Sequence, residues 1–241
     1  MRLSIGERDL LNGLSLYLAT RRTALRSALR LRAPLSAEAA EDLRIHYSNY
    51  FVSLMSAADL LTENASFNGS AFKQAVEAAF EALGTPDAGT NYLYVRELRN
   101  AIVHRGLNIA SGAHFAGDFP LLVAPNPVIN RSGAQKYSTF SFYLLGVVEG
   151  CEAVVGPTIE GHLDSLGILE KVPDVEAWTA EALELCRSST AMPEWVKKMV
   201  PESLSTVDWN TIHGDSVAKL RDLLKPFSFT PPSEARTDGA A

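Results

Sequence analysis

The sequence predicts an all-α protein, and three observations carry that prediction. Apolar residues recur at helical spacing through most of the 241 residues. Breaks rich in proline and glycine cut these stripes into helix-sized segments. Only the region 107–137 departs from the pattern, with the glycine, proline and asparagine content of a long loop. Its one apolar run, Phe119 to Ala124, suits a small β-hairpin that pairs residues near Leu121 with residues near Val128.

Taken in order, Ile5 to Leu31 places Leu10, Leu11, Leu14, Leu18, Leu25 and Leu29 at helical intervals and makes one helix or two, ended by Pro34. Ser36 is placed as an N-cap, with Glu38, Glu41 and Asp42 where they favour the positive helix end. The helix it opens runs to Glu63, with Leu43, Tyr47, Tyr50, Phe51, Leu54, Ala58 and Leu61 inward; His46 within it reads as structural or partly exposed. Asn64 to Gly69 is a turn, and Ser70 to Leu83 is a helix that turns Phe72, Val76, Ala79, Phe80 and Leu83 to the core. Gly84 to Gly89 breaks it, and the next helix starts near Asn91. After the loop, a long helix from Ser138 to Leu166 is expected to bend near Gly156-Pro157, and another follows from Pro173-Asp174 to about Arg187. Pro193 to Val200 is expected as a short helix stopped by Pro201, and Asp215 to Lys225 as the last. Trp195, Trp209, Leu220, Leu223 and Leu224 are their anchors. The expected organisation is an N-terminal helical segment (1–35), an antiparallel helical bundle (36–187), a C-terminal helical appendage (188–228) and a disordered tail (229–241).

With 46% apolar residues the chain can build a real core. A formal charge of −6 argues against an indiscriminate binder of polyanions. Local charge can still act: Arg21, Arg22, Arg26, Arg30 and Arg32 lie in a stretch without acids, and Arg22, Arg26 and Arg30 form an i, i+4 row. That row is either a ridge for a phosphate backbone or a solvated face paired with acidic neighbours. Cys151 and Cys186 are far apart and read as small core residues, not as a disulfide or a zinc site. His162 reads as structural. The start of the chain lacks the apolar run of a signal peptide and no uncharged apolar stretch is long enough to span a bilayer, so a cytoplasmic protein with no membrane partner is expected. There is no phosphate loop, dinucleotide glycine pattern, nucleophile-elbow serine or metal-binding His or Cys spacing, so no cofactor is expected.

The chemistry concentrates between Tyr94 and Gly106. Tyr94, Leu98, Ala101 and Ile102 make the inward stripe, and Arg99, Arg96, Asn100, His104 and Glu97 follow around the polar side with only Val103 among them. Asn100 and His104 are four apart and can touch, whereas Arg99 lies roughly 140° around from His104. One helix therefore cannot easily aim both at one phosphorus atom. A two-fold pairing of helices can, because each copy presents its arginine to the other's histidine. Glu97 is too far from His104 to hold it and is expected to pair with Arg96 or Arg99 of a neighbouring helix.

Arg99-Asn100-Ala101-Ile102-Val103-His104 resembles the Arg-x(4 to 6)-His motif of HEPN domains, in which a polar residue often follows the arginine. The resemblance implies a HEPN-like helical bundle and a metal-independent endoribonuclease, a toxin or antiviral-defence effector, that works as a homodimer with a composite site. It assigns proton transfer at an RNA 2'-hydroxyl or leaving group to His104 and the scissile phosphate to Arg99. Asn100 would orient the backbone or the histidine, and the products would end in 2',3'-cyclic phosphate. Arg96 and Arg105 are the neighbouring candidates for substrate binding, and His114, Arg131 and Lys136 of the loop could add contacts or a lid. An antitoxin or regulatory partner is implied as well, although His104 is followed by Arg105, Gly106 and Leu107, not by the tyrosine that some HEPN toxins carry for modification. Two rival readings stand beside this one. His104-Arg105-Gly106 also fits a plain helix C-terminus, with cations at the negative end and a glycine for the left-handed cap. The same polar face would also serve a non-catalytic domain that binds a partner protein or a nucleotide.

Overall fold

Ser4 opens the first helix, α1 (Ile5–Ala28), by a reciprocal cap: its hydroxyl accepts from the Glu7 N–H at 3.3 Å and its own N–H donates to the Glu7 carboxylate at 2.9 Å. Ser36 caps α2 (Ala37–Thr62) as the sequence predicts, accepting from the Ala39 N–H at 3.1 Å. In the computed structural model, which describes residues 1–84 and 88–229, α1 and α2 pack along each other and bury one leucine and tyrosine seam. Next come α3 (Gly69–Glu81), α4 (Asn91–Arg105) and α5 (Leu144–Ser165). Helix α3 lies against α4 and α5, and α2 covers α4, so the described residues form a mainly α-helical protein with one core cluster. A parallel pairing of β1 (Arg2–Leu3) with Val172–Pro173 ties the start of the chain to the segment after α5.

The loop region holds two small hairpins: β2 (Ala113–Ala116) with β3 (Phe119–Leu122), and β4 (Val128–Ile129) with β5 (Lys136–Tyr137). The expected pairing of Leu121 with the neighbourhood of Val128 does not form; Leu121 pairs with His114. Gly117, at φ 62°, makes the tight turn upstream, and Pro125 and Pro127 then separate the two hairpins. Helix α5 begins at Leu144, later than Ser138, because Thr139 to Tyr143 satisfy their backbone otherwise. The Thr139 hydroxyl donates to Ser141 O at 2.8 Å, and Phe142 O accepts from the Ala124 N–H at 2.8 Å.

After β6 (Val172–Pro173) follow α6 (Val175–Ser188), α7 (Glu194–Ser205) and α8 (Trp209–Leu224). Helix α7 runs through Pro201 instead of stopping there. It buries no residue, so water can serve the carbonyl that the proline leaves free. Trp195 is correspondingly 66% exposed and anchors nothing. Helix α8 starts six residues before the expected Asp215, because Asp208 accepts from the N–H groups of Asn210 and Thr211, both at 3.1 Å. The tail from 230 onward and the break at 85–87 lie outside the described residues.

Helix α8 is held on the bundle by Leu220, Leu223 and Leu224, all buried, and by a polar network. Arg21 of α1, with no exposed surface, donates to Leu223 O at 2.9 Å and lies 3.5 Å from Glu152 of α5. The Glu152 carboxylate also accepts from the Tyr50 hydroxyl at 2.9 Å and the Phe227 N–H at 2.8 Å. Gly156 lets α8 end this close, since a Cβ there would overlap the Leu224 carbonyl oxygen. The arginine row is partly committed within the chain. Arg21 is internal, Arg22 bonds the Asp222 carboxylate at 2.5 Å, Arg26 covers Phe227, and Arg32 lies over Phe119 and 3.7 Å from Asp118. Arg26 and Arg30 remain exposed and have no acidic partner among the described residues, so the row is interrupted by the pairing of Arg22 and is not continuous. Cys151 and Cys186 are buried free thiols, and His162 bonds Phe67 O at 2.7 Å, a structural contact. Among the described residues, no helix is long and apolar enough to cross a membrane.

Glu152→Ala leaves the Arg21 charge buried without its partner and should cost about 3–5 kcal/mol in urea unfolding. Arg2→Ala, which breaks the exposed pair with Asp174, should cost under about 1 kcal/mol. Equal losses would show that the buried network carries no special share.

Candidate functional site

Helix α4 is fixed in rotation by what it buries. Tyr92, Tyr94, Val95, Leu98 and Ala101 face inward, the Tyr94 hydroxyl donates to Pro125 O at 2.9 Å, and its ring meets Phe140 edge to face at 5.9 Å. Burial pushes the Tyr92 phenol up to about 12, so it stays protonated at neutral pH. Gly106, at φ 64°, ends the helix, and the N–H groups of Gly106 and Leu107 both reach Ala101 O. The capping reading of Gly106 is therefore correct as geometry, and it coexists with whatever His104 does.

With that stripe inward, the polar residues divide between two hollows. His104, Asn100, Glu97 and Arg105 of α4 line one of about 610 Å³, whose far wall is Asn130, Arg131 and Ser132 from the β4–β5 turn. Arg99 lines the other, of about 380 Å³, with Tyr17 of α1 and Ser56, Asp59 and Glu63 of α2. Arg96 and Val103 are exposed, and they are separated by two helical turns along the ridge between the hollows. The structure thus brings Asn100, His104 and Arg105 together, adds Arg131 to them, and keeps Arg99 apart. His114 lies elsewhere, 3.4 Å from the Tyr143 hydroxyl, and Lys136 is on β5 and lines neither hollow.

Each site residue has a distinct environment. The Arg99 guanidinium is ion-paired with Asp59, a partner that the sequence analysis missed. Nothing in the spacing of α2 marks Asp59, which sits among Ala57, Ala58 and Leu60 at the edge of an apolar stripe. Burial pushes the Asp59 carboxyl above its ordinary range, and the Arg99 charge offsets this only in part. The Asn100 amide donates to the Glu97 carboxylate at 3.0 Å, and no hydrogen bond joins it to His104 among the described residues. Glu97 also lies 3.9 Å from Arg105, so within the chain it pairs along its own helix. His104 is exposed, with no hydrogen-bond partner among the described residues. Its hollow holds two guanidiniums against one carboxylate and is net positive, while the Arg99 hollow holds two carboxylates against one guanidinium.

A net positive recess with an unengaged imidazole and several amide and hydroxyl groups can receive a phosphate and exchange a proton with it. Among the described residues, no group of three or more His, Cys, Asp or Glu side chains is arranged to hold a metal ion. Compared with known proteins, the chain matches no family model, no curated protein and no solved structure.

The Asp59 carboxyl should titrate above its ordinary value of 3.8 by carbon-detected NMR, and higher still in Arg99→Gln. A raised folded-state value means that the native chain holds this proton more tightly than the unfolded chain. The stability it contributes is therefore fully present below pH 3.8 and is lost as pH rises through the folded value. Asp59→Asn removes that loss. Titration below 3.8 would contradict the burial argument.

Proposed function

We propose that the chain is a metal-independent endoribonuclease that cleaves RNA by attack of the substrate's own 2'-hydroxyl, in the HEPN manner that the Arg99 to His104 motif resembles. The observation that carries this reading is the net positive hollow around His104. There, Arg105 and Arg131 would anchor phosphates beside an imidazole free to take or give a proton. Such proton transfer contributes about 10²- to 10⁴-fold to a rate.

The separation of Arg99 from His104 in one chain supports a composite site in a homodimer. The exposed ridge of Arg96 and Val103 runs between the two hollows, so a two-fold contact along it would set each Arg99 against the partner's His104. Val103, 48% exposed on a polar face, is the apolar element of that ridge. Asp59 would hold the arginine at the ridge edge until a phosphate competes for it. An enzyme of this kind acts as a toxin or defence effector and needs a restraining partner in its own cell.

One observation favours a second reading. The Arg99–Asp59 ion pair offsets the arginine's charge internally, which suits a non-catalytic domain that uses the same face to bind a partner protein or a nucleotide.

Incubation of the purified protein with total RNA in a chelator separates the two. Cyclic phosphate ends should form, and His104→Ala and Arg99→Ala should each abolish them without unfolding. An equal mixture of the two dead variants should recover about one quarter of the activity, because half of the dimers are mixed and each of those carries one whole site of two. Expression of the wild type, but not of either variant, should arrest growth. Absence of cleavage would remove the enzymatic reading, and cleavage without complementation would remove the composite site.

A further inference from the structure

The cleft between α1 and α8, remote in sequence from α4, encloses about 270 Å³. Its walls are largely apolar: Leu3 and Leu11 on one side, Val217 and Leu220 on the other, and two indoles, Trp178 and Trp209, set edge to face at 5.9 Å and 89°. A cavity of ~150 Å³ lined by apolar side chains accepts one benzene ring, so this cleft has room for two fused rings.

Its polar groups define the chemistry of an occupant. The indole N–H groups of Trp178 and Trp209 are buried without accessible surface, so these two residues meet an occupant through their rings. Asn12 and Ser15, one helical turn apart on α1, also reach the cleft without a side-chain hydrogen-bond partner among the described residues. Arg8 lies 5.4 Å over the Trp178 ring, yet its charge is taken by Glu181 at 2.5 Å and Asp9 at 3.0 Å. The His213 ring is engaged through Nε2 with Lys171 O at 3.0 Å. Aromatic walls, unmet donors and no uncommitted cation favour a flat, uncharged ligand with an acceptor over an anion.

We propose that this cleft binds a small, flat, uncharged two-ring aromatic compound that packs against the indole rings of Trp178 and Trp209 and presents a carbonyl or ring-nitrogen acceptor to the Asn12 amide and the Ser15 hydroxyl. The site is independent of the RNA reading. Its position where α8 docks on α1 makes the ligand a brace between the C-terminal helix and the bundle.

Quinolin-2-one is the probe, and quinoline-2-carboxylate supplies similar rings with a negative charge. Titrated by calorimetry into the full chain, quinolin-2-one should bind saturably and at least tenfold more tightly than the carboxylate. In proton–nitrogen NMR spectra the indole N–H signals of Trp178 and Trp209 should shift through the ring current of the bound ligand, while that of the exposed Trp195 stays in place. Ser15→Phe, which fills the cleft from α1, should weaken binding at least tenfold; if that variant is unfolded, Ser216→Phe on the opposite wall replaces it. The proposal is overturned by no saturable binding up to the solubility limit, by undiminished binding to the filled variant, by equal or tighter binding of the carboxylate, or by signals that move only at Trp195.

Discussion

The rotation of α4 about its own axis is the constraint on which the functional geometry depends. Burial of Tyr94, Val95, Leu98 and Ala101 leaves no freedom for a helix already bonded through Tyr94 to Pro125. Removing one such large side chain from water is worth about 1.5–3 kcal/mol. A turn of the helix would therefore expose part of the core, and no turn would close the roughly 140° between Arg99 and His104 on one cylinder. The division of the polar face into a positive recess at His104 and an acidic recess at Arg99 follows from packing, and the ion pair with Asp59 adds to it.

What holds α4 is held in turn by the rest of the bundle. Asp59 and the apolar seam of α2 meet α4 on one side of α2, and α1 covers another. Helix α8 locks α1 to α5 through the buried contacts of Arg21 with Leu223 and Glu152. The Nε and Nη1 atoms of Arg21 have no partner among the described residues, so this network is incompletely satisfied. A buried pair of that kind is weak evidence for stability, but loss of one member strands a charge. Its clearest structural effect is positional: it sets where the C-terminal helix ends, next to Gly156.

Helices with a one-sided apolar stripe and a local cap were legible in the sequence, because both signals lie within a few residues. Ser36 and α2, Gly106 and the end of α4, and the inward leucines of α1 all stand where the pattern places them. Tertiary hydrogen bonds decided the rest. The hairpins took their register from Gly117 and the prolines, and Thr139 to Tyr143 stayed out of α5 because Ala124 and Ser141 offered them other partners. At the site, the angular separation of Arg99 and His104 could be counted from helical geometry alone. The partners of Arg99 and Asn100 could not, since Asp59 lies forty residues upstream of Arg99 and nothing in the sequence aligns α2 with α4. Arg131 was one of several loop cations until the β4–β5 turn set it across from His104.

The central claim is that substrate phosphates enter the His104 hollow. A short oligonucleotide with 2'-deoxyribose, which cannot be cleaved by this chemistry, can be titrated into isotope-labelled protein and followed residue by residue by NMR. The account predicts shifts centred on Asn100, His104, Arg105 and Arg131, with smaller effects at Arg99 and Asp59. Shifts centred on α7 or the α1–α8 cleft, or no saturable shift at low salt, would contradict it.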